Sequence, residues 1–185
     1  MKKVVLLGDS IRQIGYGTKV PALLGSGYEV FQPSDNCRFV KYTLRGIFDW
    51  RDSIAGADVI HWNNGLWDTC KLLEDGQPFT SEAEYVDNML RVAKELKKIA
   101  PRVIFATTTP VRPEHPHNSN DVIDRYNQAV VPKLQALGVE INDLNALVKP
   151  HLDAYISPED LIHLTPAGID ACAAQVVRAI KGGKQ

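Results

Sequence analysis

The chain predicts an α/β fold: a five-stranded parallel sheet with helices on both faces, in a flavodoxin-like strand order. Three observations predict it. Short strand-like runs near 4–7, 28–31, 57–62, 102–106 and 139–141 alternate with segments of helical periodicity. The first run, Val4-Val5-Leu6-Leu7, is apolar without alternation, as a central strand covered on both faces is. No repeat or low-complexity stretch interrupts the pattern, and 185 residues suffice for one domain with a full core, residues 1–185, but not for two ordinary ones.

The first strand stops at Gly8-Asp9-Ser10. A serine just past such a strand lies at the carboxyl edge of the sheet, where open α/β sheets place their ligands. Ser10 is thereby a candidate nucleophile, although Asp9 or Ser10 capping the next helix explains the same tripeptide. A short helix is expected before the Gly25-Ser26-Gly27 turn, and Tyr28 to Phe31 reads as the second strand, stopped by Pro33. Residues 34–40 read as a polar loop. Thr43 to Ile54 carries Leu44, Ile47, Phe48 and Ile54 at helical spacing. The third strand ends in Asn63-Asn64-Gly65-Leu66-Trp67-Asp68, a polar and aromatic cluster delivered to the same sheet edge as Ser10.

Residues 69–80 read as a surface excursion bordering a pocket. Ser81-x-x-Glu84 is a capping box ahead of Val86, Met89, Ala93, Leu96 and Ala100. The fourth strand leads into Thr107-Thr108-Thr109-Pro110 and a Pro-rich loop reaching His117. Ile123, Tyr126, Val130, Leu134 and Leu137 form the stripe of a further helix, with a kink expected at Pro132. Val139 to Ile141 is the fifth strand, and a short helix over 144–152 comes next. Thr165-Pro166 supplies the cap and first-turn proline of the last helix, with its stripe at Ile169, Cys172, Ala173, Val176 and Ile180. The Gly182–Gln185 tail is expected to fray.

Composition narrows the function. Lys and Arg (21) nearly cancel Asp and Glu (22), so no overall field draws in nucleic acid or an anionic membrane. No segment has the apolar length of a membrane span. Lys2-Lys3 before an apolar run superficially suggests a leader, but the run ends at Gly8 and no cleavage signature comes after it, which points to the cytoplasm. The three cysteines, Cys37, Cys70 and Cys172, fit neither a C-x-x-C pair nor a zinc pattern and read as reduced. There is no phosphate loop, and Gly15-Tyr16-Gly17 lacks a third glycine at dinucleotide spacing.

A serine hydroxyl needs an imidazole to take its proton, and the imidazole needs a carboxylate to fix its tautomer. Asp160 and His163, three apart in a loop before the last helix, suit that work. On these residues the chain resembles the SGNH or GDSL hydrolase family. Gly8-Asp9-Ser10 is similar to the family's first block, and Asp160-Leu161-Ile162-His163-Leu164-Thr165-Pro166-Ala167-Gly168 to its last, in the right order at opposite ends. The resemblance implies a three-layer α/β/α fold and ester hydrolysis, with Ser10 as nucleophile, His163 as base and then acid, and Asp160 as its orienter. No metal or organic cofactor is implied.

The middle blocks depart from the family pattern. Its third block usually reads Gly-x-Asn-Asp and contributes an oxyanion-hole asparagine; matching Gly65 puts Trp67 at that asparagine's position. A tryptophan does not reproduce the amide donor, so Asn64, and after it Asn63, is expected to donate instead. The second block's glycine N–H is replaced by that of Cys37 or Arg38, with the Ser10 N–H completing the hole. Trp62 and Trp67, flanking this loop, are either core residues or pocket walls. Arg45 and Arg112 are either substrate-binding or solvated. His61 reads as a core histidine, His115-Pro116-His117 as a plain loop, and Cys37 as no rival to Ser10. The α/β-hydrolase elbow Gly-x-Ser-x-Gly is absent.

The expected activity is hydrolysis of small acyl esters, with O-acetyl groups on a carbohydrate as substrate because a tryptophan beside the site stacks on a sugar ring. The rivals are a lipolytic acyl hydrolase, a non-catalytic glycan-binding relative and a flavodoxin-like nucleotide binder. The sequence does not fix the oligomeric state.

Overall fold

The computed structural model describes residues 1–182, so three residues of the tail expected to fray, 183–185, lie outside the described residues. The five expected strands are all present: β1 (Lys2–Leu7), β2 (Tyr28–Phe31), β3 (Val59–Asn63), β4 (Arg102–Ala106) and β5 (Glu140–Asn142). They form one parallel sheet in the order β2-β1-β3-β4-β5, the flavodoxin-like order. Leu7 pairs with Trp62, Trp62 with Phe105 and Phe105 with Ile141, so the strands end level with one another. The loops leaving these strand ends therefore meet at one edge.

Among the described residues there are nine α-helical segments, six between strands and three after β5: α1 (Val20–Leu24), α2 (Val40–Asp49), α3 (Arg51–Ile54), α4 (Leu66–Thr69), α5 (Glu82–Ile99), α6 (Asn120–Ala136), α7 (Leu144–Val148), α8 (Leu152–Tyr155) and α9 (Pro166–Lys181). Val5, Leu7, Ile60, Trp62, Val103 and Phe105 face one core with α2, α5 and α6. Val4, Leu6, Val59, Ile104 and Ala106 face a second core with α1, α7 and α9. Alternation along each strand divides its side chains between two helical layers.

Three helix boundaries depart from the sequence reading. The helix expected from Thr43 begins at Val40, because the buried Asp68 carboxylate accepts the Val40 N–H at 3.1 Å and caps it from a distant part of the chain. It also breaks at Trp50 into α2 and α3. The helix expected over 144–152 is divided into α7, a short turn and α8. The helix α6 runs through Pro132; Gln128, the residue whose carbonyl the proline leaves without a donor, is exposed. Elsewhere the caps hold: the Ser81 hydroxyl accepts the Glu84 N–H and donates to its carboxylate, and Thr165 Oγ1 accepts the Gly168 N–H. Among the described residues no helix is long and apolar enough to cross a membrane.

Candidate active site

The site begins where β1 ends. An ideal Cβ on Gly8 would lie 2.0 Å from Asn63 Oδ1, so only glycine lets the Asn63 side chain cross over the strand end. Asn63 then donates from Nδ2 to Asp9 Oδ1 at 2.7 Å and accepts the Tyr16 hydroxyl at 2.7 Å. Tyr16 also meets His61 Nδ1 at 3.5 Å, and His61 Nε2 lies 3.1 Å from Asn142 Nδ2. Because an amide nitrogen can only donate, that ring carries its proton on Nδ1. A buried polar chain thus runs from Asp9 through Asn63, Tyr16 and His61 to Asn142.

The two capping readings separate here. Asp9 does the capping: its Oδ1 accepts the Ile11 N–H at 2.9 Å, and its carbonyl accepts those of Arg12 and Gln13. Ser10 makes no side-chain capping bond. Among the described residues, neither its Oγ nor its N–H has a hydrogen-bond partner, and it lines a cavity of about 300 Å³. Asp9 is fully buried, and burial pushes its carboxyl up to about 6 against the opposing hydrogen bond from Asn63. Burial likewise pushes Asp68 up to about 7.

The second half of the site is the loop before α9. Asp160 Oδ2 lies 2.8 Å from His163 Nδ1, while Oδ1 accepts the N–H groups of Ile162 at 3.1 Å and His163 at 2.9 Å. Partial burial works to raise the Asp160 carboxyl; the hydrogen bonds from the His163 backbone and ring outweigh it and hold it below the usual value. The intervening Leu161 adopts φ 67° to make so tight a return. Arg112 braces this loop: its N–H donates to the Leu161 carbonyl at 2.9 Å, and its guanidinium to the Ile156 carbonyl at 2.9 Å and to Asp153.

Two contacts bring the halves together. Ile162 lines the same cavity as Ser10. Leu164, next after His163, packs on Gly15, where an ideal Cβ would lie 3.3 Å from Leu164 and 3.9 Å from the Ser10 carbonyl. Leu66, Trp67, Cys70, Leu72, His115, His117 and Asn118 complete the cavity wall. The 69–80 segment does border the pocket, through Cys70 and Leu72.

Several expected site residues are committed to bonds or packing within the protein. The Cys37 N–H donates to the Gly8 carbonyl at 3.0 Å and the Arg38 N–H to Asn36 Oδ1 at 2.7 Å, so both expected backbone donors are occupied within the protein. Cys37 is buried, its thiol pushed up to about 11 by that burial. Asn64 is fully buried, donating to the Arg38 carbonyl at 2.9 Å and accepting from Thr43 at 2.9 Å. Asn63 and Asn64 each retain one amide hydrogen beyond these bonds. Trp62 is fully buried against Phe105, with ring centroids 5.0 Å apart, and is core rather than pocket wall. Trp67, 40% exposed, is the tryptophan in the wall. Arg45 forms a two-bond ion pair with Asp49 on the exposed face of α2 and is absent from the wall. Arg112 braces the loop before α9 and is likewise absent from the wall.

The sequence reading missed three contributors. Arg12 is buried, donating to the carbonyls of Gly8, Pro33 and Asp35. His115 and His117, read as a plain loop, stand in the wall of the Ser10 cavity. Their proximity to Ser10 had no local signal, since about a hundred residues separate them. Among the described residues no group of three or more His, Cys, Asp or Glu side chains is placed to hold a metal ion.

No family model matches the chain. A GDSL esterase/lipase, CPRD49 of Arabidopsis thaliana, is 26% identical in an alignment covering 97% of this chain and 78% of that protein. Among solved structures, a lipase/acylhydrolase from Enterococcus faecalis superimposes with a TM-score of 0.79 at 20% identity over the full length of both chains. The acetyl xylan esterase AlAXEase gives 0.78 at 19% identity, covering 96% of this chain and 99% of the other. Axe2, an acetylxylan esterase from Geobacillus stearothermophilus, gives 0.77 at 19%, covering 97% and 94%. Similarity to that GDSL esterase/lipase runs along nearly the whole chain, and the lipase/acylhydrolase and acetyl xylan esterase structures share its fold.

Proposed function

We propose that the protein is a serine carboxylic-ester hydrolase in which Ser10 is the nucleophile, His163 the general base and then acid, and Asp160 its orienter. The observation that carries this reading is the Asp160–His163 pair, held at 2.8 Å on a loop whose Ile162 shares a cavity with Ser10. Asp160 fixes the proton on Nδ1 and leaves Nε2 as the basic nitrogen. The Ser10 oxygen attacks the ester carbonyl as its proton passes to Nε2; the tetrahedral intermediate collapses, and the same proton leaves with the alcohol. Water then repeats the sequence on the acyl-enzyme. The unoccupied Ser10 N–H is the first oxyanion donor in this reading, and the spare amide hydrogen of Asn64, or after it of Asn63, is the second.

The substrate reading is a small acyl ester, with O-acetyl groups on a carbohydrate favoured by the half-exposed Trp67 in the wall and by the acetyl xylan esterases among the structural neighbours. One observation favours longer acyl chains instead: Leu72, which lines the cavity, is 55% exposed. A chain-length series decides between them, with preference for acetyl over octanoyl expected.

Replacement of Ser10 by Ala is expected to abolish turnover of 4-nitrophenyl acetate and labelling by a fluorophosphonate, with an unchanged circular dichroism spectrum. Full activity in that variant rejects the nucleophile assignment.

A further inference from the structure

We propose that His115 and His117 form a hydroxyl-binding subsite that recognises the alcohol portion of the ester. The inference rests on the serine-hydrolase reading and adds to it the residues that select the substrate.

The geometry of the two rings is fixed by the backbone. His115 Nδ1 accepts the N–H groups of His117 at 3.2 Å and of Asn118 at 2.9 Å. Two donors aimed at one nitrogen require a lone pair there, so the neutral ring carries its hydrogen on Nε2. Burial and the neighbouring His117 both disfavour a charge on it. His117 is the reverse case. Its Nδ1 lies 3.2 Å from the Lys71 carbonyl, which can only accept, so the hydrogen is on Nδ1 and the neutral ring presents a lone pair at Nε2.

Neither Nε2 has a partner among the described residues. Both residues line the cavity that Ser10 lines, together with Leu66, Trp67, Leu72 and Ile162. One donor and one acceptor, with ring centroids 6.2 Å apart in an otherwise largely apolar wall, match the hydroxyls of a polyol whose carbon face rests on an aromatic or aliphatic surface. The loop is pinned as well: Asn118 Nδ2 donates to the Leu66 carbonyl at 2.9 Å, and Lys71 N–H to the His117 carbonyl at 2.8 Å. The subsite is therefore preorganised rather than assembled by the ligand.

The test compares two acetyl esters: phenyl acetate, whose alcohol part has no further hydroxyl, and a mono-O-acetylated methyl xyloside, whose alcohol part has free hydroxyls. His115→Asn keeps an acceptor for the His117 and Asn118 N–H groups and removes the cavity donor; His115→Gln restores a donor near the Nε2 position. The ratio of kcat/KM on the xyloside to that on phenyl acetate is expected to fall about tenfold in His115→Asn, the value of one lost hydrogen bond, and to recover largely in His115→Gln. An unchanged ratio, or an equal fall on both esters, overturns the subsite and leaves His115 as a loop support. A wild-type protein that cleaves neither ester and resists fluorophosphonate labelling overturns the hydrolase reading itself, a result distinct from either.

Discussion

Asp160 grips His163 at two points: Oδ2 meets the ring Nδ1 at 2.8 Å, and Oδ1 accepts the backbone N–H of the same residue at 2.9 Å. The ring tautomer and the loop that carries it are set by one carboxylate. Position and protonation cannot drift apart without breaking both bonds.

Replacing Asp160 by Asn tests that coupling. An amide can turn its oxygen to the backbone N–H groups, but its nitrogen then faces Nδ1 and draws the ring hydrogen to Nε2, where it would block the proton transfer from Ser10 that the proposed mechanism requires. Turnover is expected to fall about 1,000- to 10,000-fold with KM little changed. Steady-state kinetics beside a circular dichroism spectrum checks it; a loss below about tenfold would show that Asp160 does not orient the catalytic imidazole.

Gly8 and Asn63 make a steric prediction. The 2.0 Å approach of Asn63 Oδ1 to an added Cβ means that Gly8→Ala must displace Asn63 and break its bond to Asp9. A destabilisation of about 2–4 kcal/mol is expected from overpacking plus the lost bond. In the double variant Gly8→Ala/Asn63→Gly the clash with Asn63 is gone and only the 2.9 Å approach to Arg12 Cβ remains, so the cost of the double variant should fall short of the sum of the two single costs. Additive costs in urea unfolding would mean that the two residues do not meet as described.

The buried His61 gives the protein a defined pH response. Burial pushes its pKa down to about 3, whereas the unfolded chain takes up that proton near 6.5. Between those values the unfolded state binds more protons, so this contribution is complete above about pH 6.5 and is lost as pH falls toward 3. The slope is about 1.4 kcal/mol per pH unit. His61→Phe abolishes the titration and leaves Asn142 Nδ2 and Tyr16 short of a partner, costing about 1–3 kcal/mol at neutral pH. The stability gap between wild type and variant is expected to close as pH falls from about 6 to about 4. A constant gap would place the His61 titration outside this window.

Strand number, the limits of β2 and β4, and the Ser81 and Thr165 helix caps were legible because they depend on neighbours within a few residues, whereas β1, β3 and β5 are each offset from the sequence reading by a residue or two. The run Val4 to Leu7 announces a strand buried on both faces wherever it sits, and Ser81 caps Glu84 in any context. The start of α2 was not legible, because its cap is Asp68, far along the chain. The same limit explains Arg45, whose partner Asp49 is local but whose distance from the cavity is not.

By itself the sequence determined the α/β alternation, the Gly8-Asp9-Ser10 turn at a strand end and the Asp160-to-His163 spacing, since strand burial, glycine's freedom and a three-residue return are properties of short segments. Tertiary structure decided the rest. It occupied the Cys37 and Arg38 N–H groups, turned Trp62 inward and Trp67 outward, made Arg112 a brace and set His115 and His117 in the wall of the cavity that Ser10 lines. Those outcomes depend on which groups meet after a parallel sheet has joined strands remote in sequence, and hydrogen-bond partners chosen at that distance leave no periodicity to read.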